Sequence, residues 1–301
     1  MNWTNIAINL GILLYILTIL AIIYTIILEN RNPVRTLAWM LVLILVPGIG
    51  LFFYIYFGMN YRKIKMFSMK GLGDFKWLQY MSEDQKQRIK KTELLKKEDM
   101  EAVKPLMTLL LNNSKALLSR NNTVEILNNG EATFSSIFKA IAKAKKYIHL
   151  EYYIIDKGEL GEQLKELLIE KAKEGVEVRV IYDDVGSWKL PKRYIKEMQA
   201  AGIQIYPFLP VRFPLFTNKV NYRNHRKIVV VDGDTGFIGG LNFADRYLHG
   251  LPGIGIWRDT HLKVKGEAVT SLQVVFLFDW YFVRQELLLN KAEYLPNKKV
   301  D

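Results

Sequence analysis

The sequence predicts an α/β fold: a mixed β-sheet flanked by helices, preceded by an N-terminal two-helix transmembrane hairpin. Three observations predict it. From Val124 onward, short apolar runs alternate with amphipathic stretches, the pattern of strands joined by crossover helices. Glycine stands where helices should stop, at Gly175 after Lys173-Glu174 and at Gly202 before Ile203. Two long runs near the N-terminus carry no charge.

The first run, Ile6 to Leu28, has 23 residues, and the second, Leu37 to Phe57, has 21. Each is long enough to cross a bilayer core. A cleaved signal peptide does not fit the first, which lacks a basic start and a small-residue cleavage site. Pro47-Gly48 should kink the second, which a membrane helix tolerates better than a soluble one. Arg62 to Asn122 reads as a basic connector with helices, its apolar face made by Leu106-Met107, Leu109 to Leu111 and Leu117-Leu118.

Strands are then expected at Val124–Leu127, Tyr147–Ile155, Val176–Asp183 and Ile203–Phe208, with helices at Phe134–Ala144, Leu160–Lys173 and Pro191–Ala201. Further strands follow at Lys227–Asp232, Thr235–Ile238 and Thr260–Val264, and a helix from Ala268 to about Arg284 closes the domain. Between them, Arg212 to Arg223 is a loop with Pro214, three aromatics and several cations. Phe213, Leu215 and Phe216 there either dip into a membrane interface or pack on their own domain.

The chain carries a net charge of +12, unevenly placed. Between Tyr61 and Lys104 stand 12 Lys and Arg against seven acids. By the positive-inside tendency this basic side is cytoplasmic, with both termini inside, although Arg31 and Arg35 in the short loop act against it. The segment either lies near anionic headgroups or is an ordinary solvated helix. Basic and aromatic residues do not interleave as a nucleic-acid surface would require. Cysteine is absent, so no disulfide or thiolate metal site exists, and the four histidines lack metal-ligand spacing. No metal and no cofactor is expected.

The densest chemical signal is His225-Arg226-Lys227-Ile228-Val229-Val230-Val231-Asp232, followed by Gly239-Gly240-Leu241-Asn242. Alternation along an extended chain puts His225 and Lys227 on one face and Arg226 on the other. An imidazole, an ammonium and an amide in one place suit a tetrahedral phosphate. Neutral imidazole can attack phosphorus and split one displacement into two.

These residues resemble the H-x-K-x4-D-x6-G-[GS]-x-N signature of the phospholipase D superfamily, with every position filled. Glu151-Tyr152-Tyr153, Gly175-Val176-Glu177-Val178-Arg179, Trp257-Arg258-Asp259-Thr260-His261 and the two N-terminal runs resemble bacterial cardiolipin synthases along almost the whole chain. The resemblance implies His225 as nucleophile, with Lys227 and Asn242 holding phosphate oxygens beside Gly239 and Gly240. It gives Asp232 a site role, and a turn-forming Asp before Gly233 is the other reading. It implies that Asp259 fixes the histidine tautomer, the alternative being a surface pair with Arg258. His149, Glu151, Asp183 and His261 carry no catalytic assignment.

The expected organisation is a hairpin over 1–60 (spans about 6–28 and 37–57) and a basic connector over 61–122. A phospholipase D-like catalytic half-domain covers 123–290, and 291–301 is a tail or the start of a second half. Such synthases carry two copies of the signature, and these residues hold one. The leaving alkoxide then needs an acid from a second motif-bearing half or a second copy of the chain.

The implied activity is a membrane-bound phosphatidyltransferase that makes cardiolipin from two phosphatidylglycerol molecules through a phosphohistidine. Its partners are anionic phospholipids and the cell membrane. Hydrolysis of the same phosphodiester, and lipid binding without catalysis, are the alternatives.

Overall fold

The computed structural model describes residues 3–28, 33–46, 49–54, 58, 74–90, 102–211, 223–288 and 293–295. The chain forms two compact units, one of residues 1–64 with 212–221 and one of 65–211 with 222–301.

The first unit holds α1 (Trp3–Leu28), α2 (Pro33–Leu45) and α3 (Ile49–Phe53). Leu43 and Tyr54 form its small buried cluster with Ile22, Ile23, Trp39 and Leu51. Gly50 lets α3 approach α2, because a Cβ there would lie 2.6 Å from the Val42 carbonyl oxygen. Among the described residues no helix passes the combined test of length and apolarity for a membrane span, so the expected hairpin is not established. α1 nevertheless runs 26 residues without a charged side chain. At 1.5 Å per residue its length is about 39 Å, beyond a hydrocarbon core of about 30 Å. α2 starts at Pro33, four residues before the expected span, because proline suits a first helical turn. The kink expected at Pro47-Gly48 and the aromatic loop residues Phe213, Leu215 and Phe216 lie outside the described residues.

The second unit opens with α4 (Asp74–Lys90) and α5 (Lys104–Ser114), which meet through Ile89 and Leu111. The Ser82 hydroxyl donates to the Leu111 carbonyl across them. β1 (Thr123–Asn128), α6 (Asn129–Ala142), β2 (Tyr147–Tyr152), α7 (Glu159–Lys173), β3 (Glu177–Asp183), α8 (Lys192–Ala200) and β4 (Gln204–Phe208) follow. After the 212–222 segment come β5 (Lys227–Val231), β6 (Thr235–Gly239), α9 (Arg246–His249), β7 (Thr260–Lys265) and α10 (Ala268–Arg284). The seven strands form one sheet in the order β1-β7-β6-β5-β2-β3-β4. β2, β3 and β4 are parallel, and every other pairing is antiparallel. The mixed α/β sheet with helices on both faces is as the sequence predicts.

Strand alternation divides the core between the two faces. Val229, Val231, Leu150, Tyr152, Val180 and Phe237 point toward α6, α7 and α8, where Phe134, Ile137, Leu164, Leu168, Tyr194 and Met198 meet them. Ile228, Val230, Ile181 and Val264 point toward α10 and its Val269, Phe276, Leu277 and Trp280. β5 is buried along its whole length, which explains its unbroken Ile-Val-Val-Val run. Each such buried side chain stabilises the fold by roughly 1.5–3 kcal/mol.

Candidate active site

β2 and β5 are antiparallel, so the C-terminal end of β2 meets the start of β5, with Tyr152 opposite Lys227. The candidate site therefore sits at the carboxyl edge of the parallel strands, where open α/β sheets bind their ligands. Lys227 is the first residue of the strand, and His225 stands just before it in the lead-in, exposed to solvent.

Lys227 is 3% exposed. Its Nζ lies 3.0 and 3.1 Å from the two ring nitrogens of His225 and donates to the His225 carbonyl oxygen at 2.9 Å. The Tyr153 ring packs on the His225 ring at 4.7 Å and lies within cation–π range of Nζ, at 5.6 Å. Burial pushes the Lys227 pKa down to about 8, and the Asp259 carboxylate opposes the fall. Desolvation of the His225 ring, then the neighbouring ammonium, lowers the His225 pKa, with Asp183 opposing. The site thus holds a neutral imidazole beside a cation that is still charged at pH 7.

The loop carrying His225 is fixed from the opposite face. Asp183 accepts from the Asn224 backbone N–H at 2.9 Å and from the Arg223 guanidinium at 3.2 Å. The Asn224 amide reaches both Glu151 and Asp279, and Arg226 pairs with Asp279 on α10. Arg226 therefore faces away from His225, as alternation requires. Burial of Glu151, then the adjacent Asp279 charge, raises the Glu151 pKa well above its ordinary value.

Other expectations change on contact with the geometry. Asp232 is not in the site. It closes the β5–β6 turn with φ 52°, and its carboxylate accepts the backbone N–H groups of Lys145, Lys146 and Tyr147 at 2.8, 2.7 and 2.9 Å. Five strand steps separate it from Lys227, about 16 Å. The turn-forming role explains it, because spacing alone cannot tell which end of a strand carries the chemistry.

Asn242 is buried, and its amide is already engaged. Its Oδ1 accepts from the Ile154 N–H at 3.1 Å and its Nδ2 donates to the Tyr247 hydroxyl at 2.8 Å. Gly239 and Gly240 serve their neighbours rather than standing open. A Cβ on Gly239 would lie 2.3 Å from His261 Nδ1, and one on Gly240 would lie 2.2 Å from Asp259 Oδ1. Asp259 accepts from the Thr260 N–H at 2.6 Å. Among the described residues it makes no hydrogen bond to His225, so the expected tautomer-fixing contact is absent from this geometry.

The same geometry recruits residues the sequence left aside. Asn129 adopts φ 62°, its N–H donates to the Asp259 carbonyl, and its Oδ1 accepts from the Asp259 N–H, so β7 enters the site at a fixed place. In sequence, Asn129-Gly130 looks only like a turn. Tyr153, Asp183, Asn224 and His261 likewise flank the motif, and of these only Asn224 has a local sequence signal, its place beside His225. Among the described residues no three His, Asp or Glu gather as a metal site.

Fold and site together define a phospholipase D-like domain. Residues 137–269 match the family described as cardiolipin synthase, PLD-like domain, and residues 16–58 match the phospholipase D-nuclease N-terminal family. The chain is 46% identical to a cardiolipin synthase of Geobacillus sp. (strain WCH70), over 94% of this chain and 55% of that protein. It is 46% identical to cardiolipin synthase 2 of Bacillus cereus, over 91% of this chain and 52% of the relative. A loose likeness links it to a solved phospholipase D family member, Nuc from Salmonella typhimurium. That match has 19% identity and a TM-score of 0.41, over 55% of this chain and 97% of that one. The chain thus carries a phospholipase D-like domain of the cardiolipin synthase type over residues 137–269 and is similar along most of its length to bacterial cardiolipin synthases. It spans about half the length of the curated relatives it matches.

Proposed function

We propose that this chain is the motif-bearing half of a membrane-bound phosphatidyltransferase that makes cardiolipin from two phosphatidylglycerol molecules. The observation that carries this is the His225–Lys227 pair, a neutral imidazole held against a buried ammonium at the open edge of a parallel sheet. A nitrogen of His225 attacks phosphorus, a phosphatidyl–histidine bond forms, and the bond to the glycerol oxygen breaks. The glycerol alkoxide takes a proton from a general acid. The primary hydroxyl of a second phosphatidylglycerol then gives its proton to that deprotonated group and attacks phosphorus, the phosphorus–nitrogen bond breaks, and cardiolipin and free His225 result.

Lys227 is the cation on the non-bridging oxygens. Asn242, with its amide held by Ile154 and Tyr247, offers its remaining N–H. Asp259 lends negative potential to Lys227. The general acid is a second imidazole from a further motif-bearing half or from a second copy of the chain. The catalytic half-domain covers 123–290, with 291–301 as its tail or the start of a second half. Residues 1–60 anchor it through the charge-free α1 and a second span, and the basic 61–122 segment keeps it on the cytoplasmic side.

The test is incubation of the detergent-solubilised protein, together with the second half, with glycerol-labelled and acyl-labelled phosphatidylglycerol. Cardiolipin and free glycerol in equal amounts are expected. Phosphatidic acid as sole product would instead assign a hydrolase, and no turnover with intact lipid binding would assign a lipid-binding half.

A further inference from the structure

His261 was left without a role in the chemistry, yet the sheet brings it to the site. Register places Tyr152 opposite Lys227 and Gly239 opposite His261, while Ile228 opposite Ile238 makes Lys227 and Gly239 neighbours. Four strands thus contribute one row on the face toward α6 and α7: Tyr152, Lys227, Gly239, His261. Gly239 has no side chain, and the His261 ring fills the gap, with Nδ1 2.3 Å from where a Cβ would stand.

The ring is 0% exposed, and neither nitrogen has a hydrogen-bond partner among the described residues. The Tyr152 hydroxyl, at the other end of the row, is likewise buried and unpartnered. An unmet buried polar group costs about 1–3 kcal/mol, so a ring kept for packing alone would be better served by phenylalanine. The charged groups that face His261 are Asp259, two residues before it, and Lys227, across Gly239. Burial lowers the His261 pKa to about 4, with Lys227 adding to the fall and Asp259 opposing it. The ring is then neutral at pH 7, with one N–H to donate and one lone pair to accept.

We propose that His261 is a positioning residue, its imidazole orienting the Lys227 ammonium and the Asp259 carboxylate on either side of Gly239 when a phosphodiester draws Lys227 away from His225. Donation toward Asp259 and acceptance from Lys227 use both nitrogens. The resting contact between Lys227 and His225 then has a successor that keeps the ammonium aimed at phosphate oxygens while the His225 ring is freed to attack. This inference rests on Lys227 being the phosphate-binding cation.

The experiment uses the full chain in detergent and dihexanoyl phosphatidylglycerol as a monomeric probe. Binding is measured from pH 6 to 10 for wild type, His261→Phe, His261→Gln and Lys227→Met. In wild type, affinity should fall as pH rises through about 8, where Lys227 loses its proton. His261→Phe keeps the ring volume but removes both nitrogens. It should weaken binding at pH 7 by about tenfold, the loss of one hydrogen bond to a charged group, and shift the alkaline fall to lower pH. His261→Gln, with a donor and an acceptor, should recover most of both.

A folded His261→Phe with wild-type affinity and midpoint, alongside a Lys227→Met that loses binding, overturns the proposal. A Lys227→Met that binds like wild type removes the underlying reading of Lys227 instead. Should His261→Phe not fold, 15N-histidine spectra of the wild type decide: the His261 ring nitrogens should shift on adding the probe, and unchanged signals contradict the role.

Discussion

The two faces of the sheet treat buried polar groups in opposite ways around one motif. Toward α10, Glu151, Asp183, Asn224, Arg226 and Asp279 form a bonded network in which each side chain meets at least one partner. Toward α6 and α7, Lys227 leans on its own neighbour His225, while His261 and the Tyr152 hydroxyl have no partner among the described residues. Partly met polar groups in a low-dielectric setting are destabilising. The bonded network toward α10 holds the loop still, although Glu151 Oε2, His149 Nε2 and Gln273 Oε1 on that face also have no hydrogen-bond partner among the described residues. The face toward α6 and α7 carries Lys227 and His261, the groups on which the proposed chemistry rests.

The largest test of this division is His225→Ala. Loss of the nucleophile should reduce product formation by on the order of 10^4-fold or more, measured as labelled cardiolipin. Stability should hardly change, because the residue is exposed to solvent.

Lys227→Met follows. Product formation should fall by roughly 10^2–10^3-fold, as for removal of one oxyanion donor. The same change should raise stability near neutral pH, because it removes a desolvated ammonium. The sign follows from linkage: the folded-state pKa, about 8, lies below the ordinary lysine value of 10.5. Protonation therefore penalises the folded state fully below pH 8, and the penalty fades as pH rises toward 10.5. The expected gain is about 1 kcal/mol after relaxation is allowed for, read as a shift in the denaturant midpoint at pH 7 that shrinks by pH 10.

On the other face the signs reverse. Asp279→Ala strands the Arg226 guanidinium and one side of the Asn224 amide. It should cost roughly 2–4 kcal/mol of stability by denaturant unfolding, and activity in surviving folded protein should fall far less than for Lys227→Met. If it instead removes activity while sparing stability, the contrast between the faces fails.

The smallest effect is expected for Glu151→Gln. The raised pKa of Glu151 means its stabilising, protonated form is complete below the usual carboxylate range and is lost as pH rises through the raised value. An amide copies that form at every pH. Its thermal midpoint should match wild type near pH 5 and equal or exceed it at pH 9.

Legibility in the sequence followed the range of the determining interaction. Strand alternation and the glycine stops are local, so the order and type of the elements from β1 to α10 were open to inspection. α6 begins at Asn129 rather than at the expected Phe134 because the Asp259 backbone, 130 residues away, holds Asn129 in its positive-φ conformation. The four-residue α9 is too short to leave a periodic signal.

At the site, His225 and Lys227 are two residues apart, and local alternation places them together. For Asp232 the sequence left a site role and a turn role open, because motif spacing measures sequence, and a strand turns seven residues into distance; its contacts fit the turn role. His261 was visible as a residue but not as a neighbour, since only register across β5, β6 and β7 and the missing Cβ of Gly239 carry it to Lys227.

Everything turns on covalent chemistry at His225, and one measurement addresses it most directly. Phosphorus-labelled phosphatidylglycerol is added to the protein with its second half, the reaction is stopped in alkali, and peptides are mapped by mass spectrometry. An acid-labile, alkali-stable phosphatidyl adduct on His225, absent from His225→Ala, is the predicted result. Cardiolipin formed with the label on another residue, or with no adduct under any quench, would contradict the account.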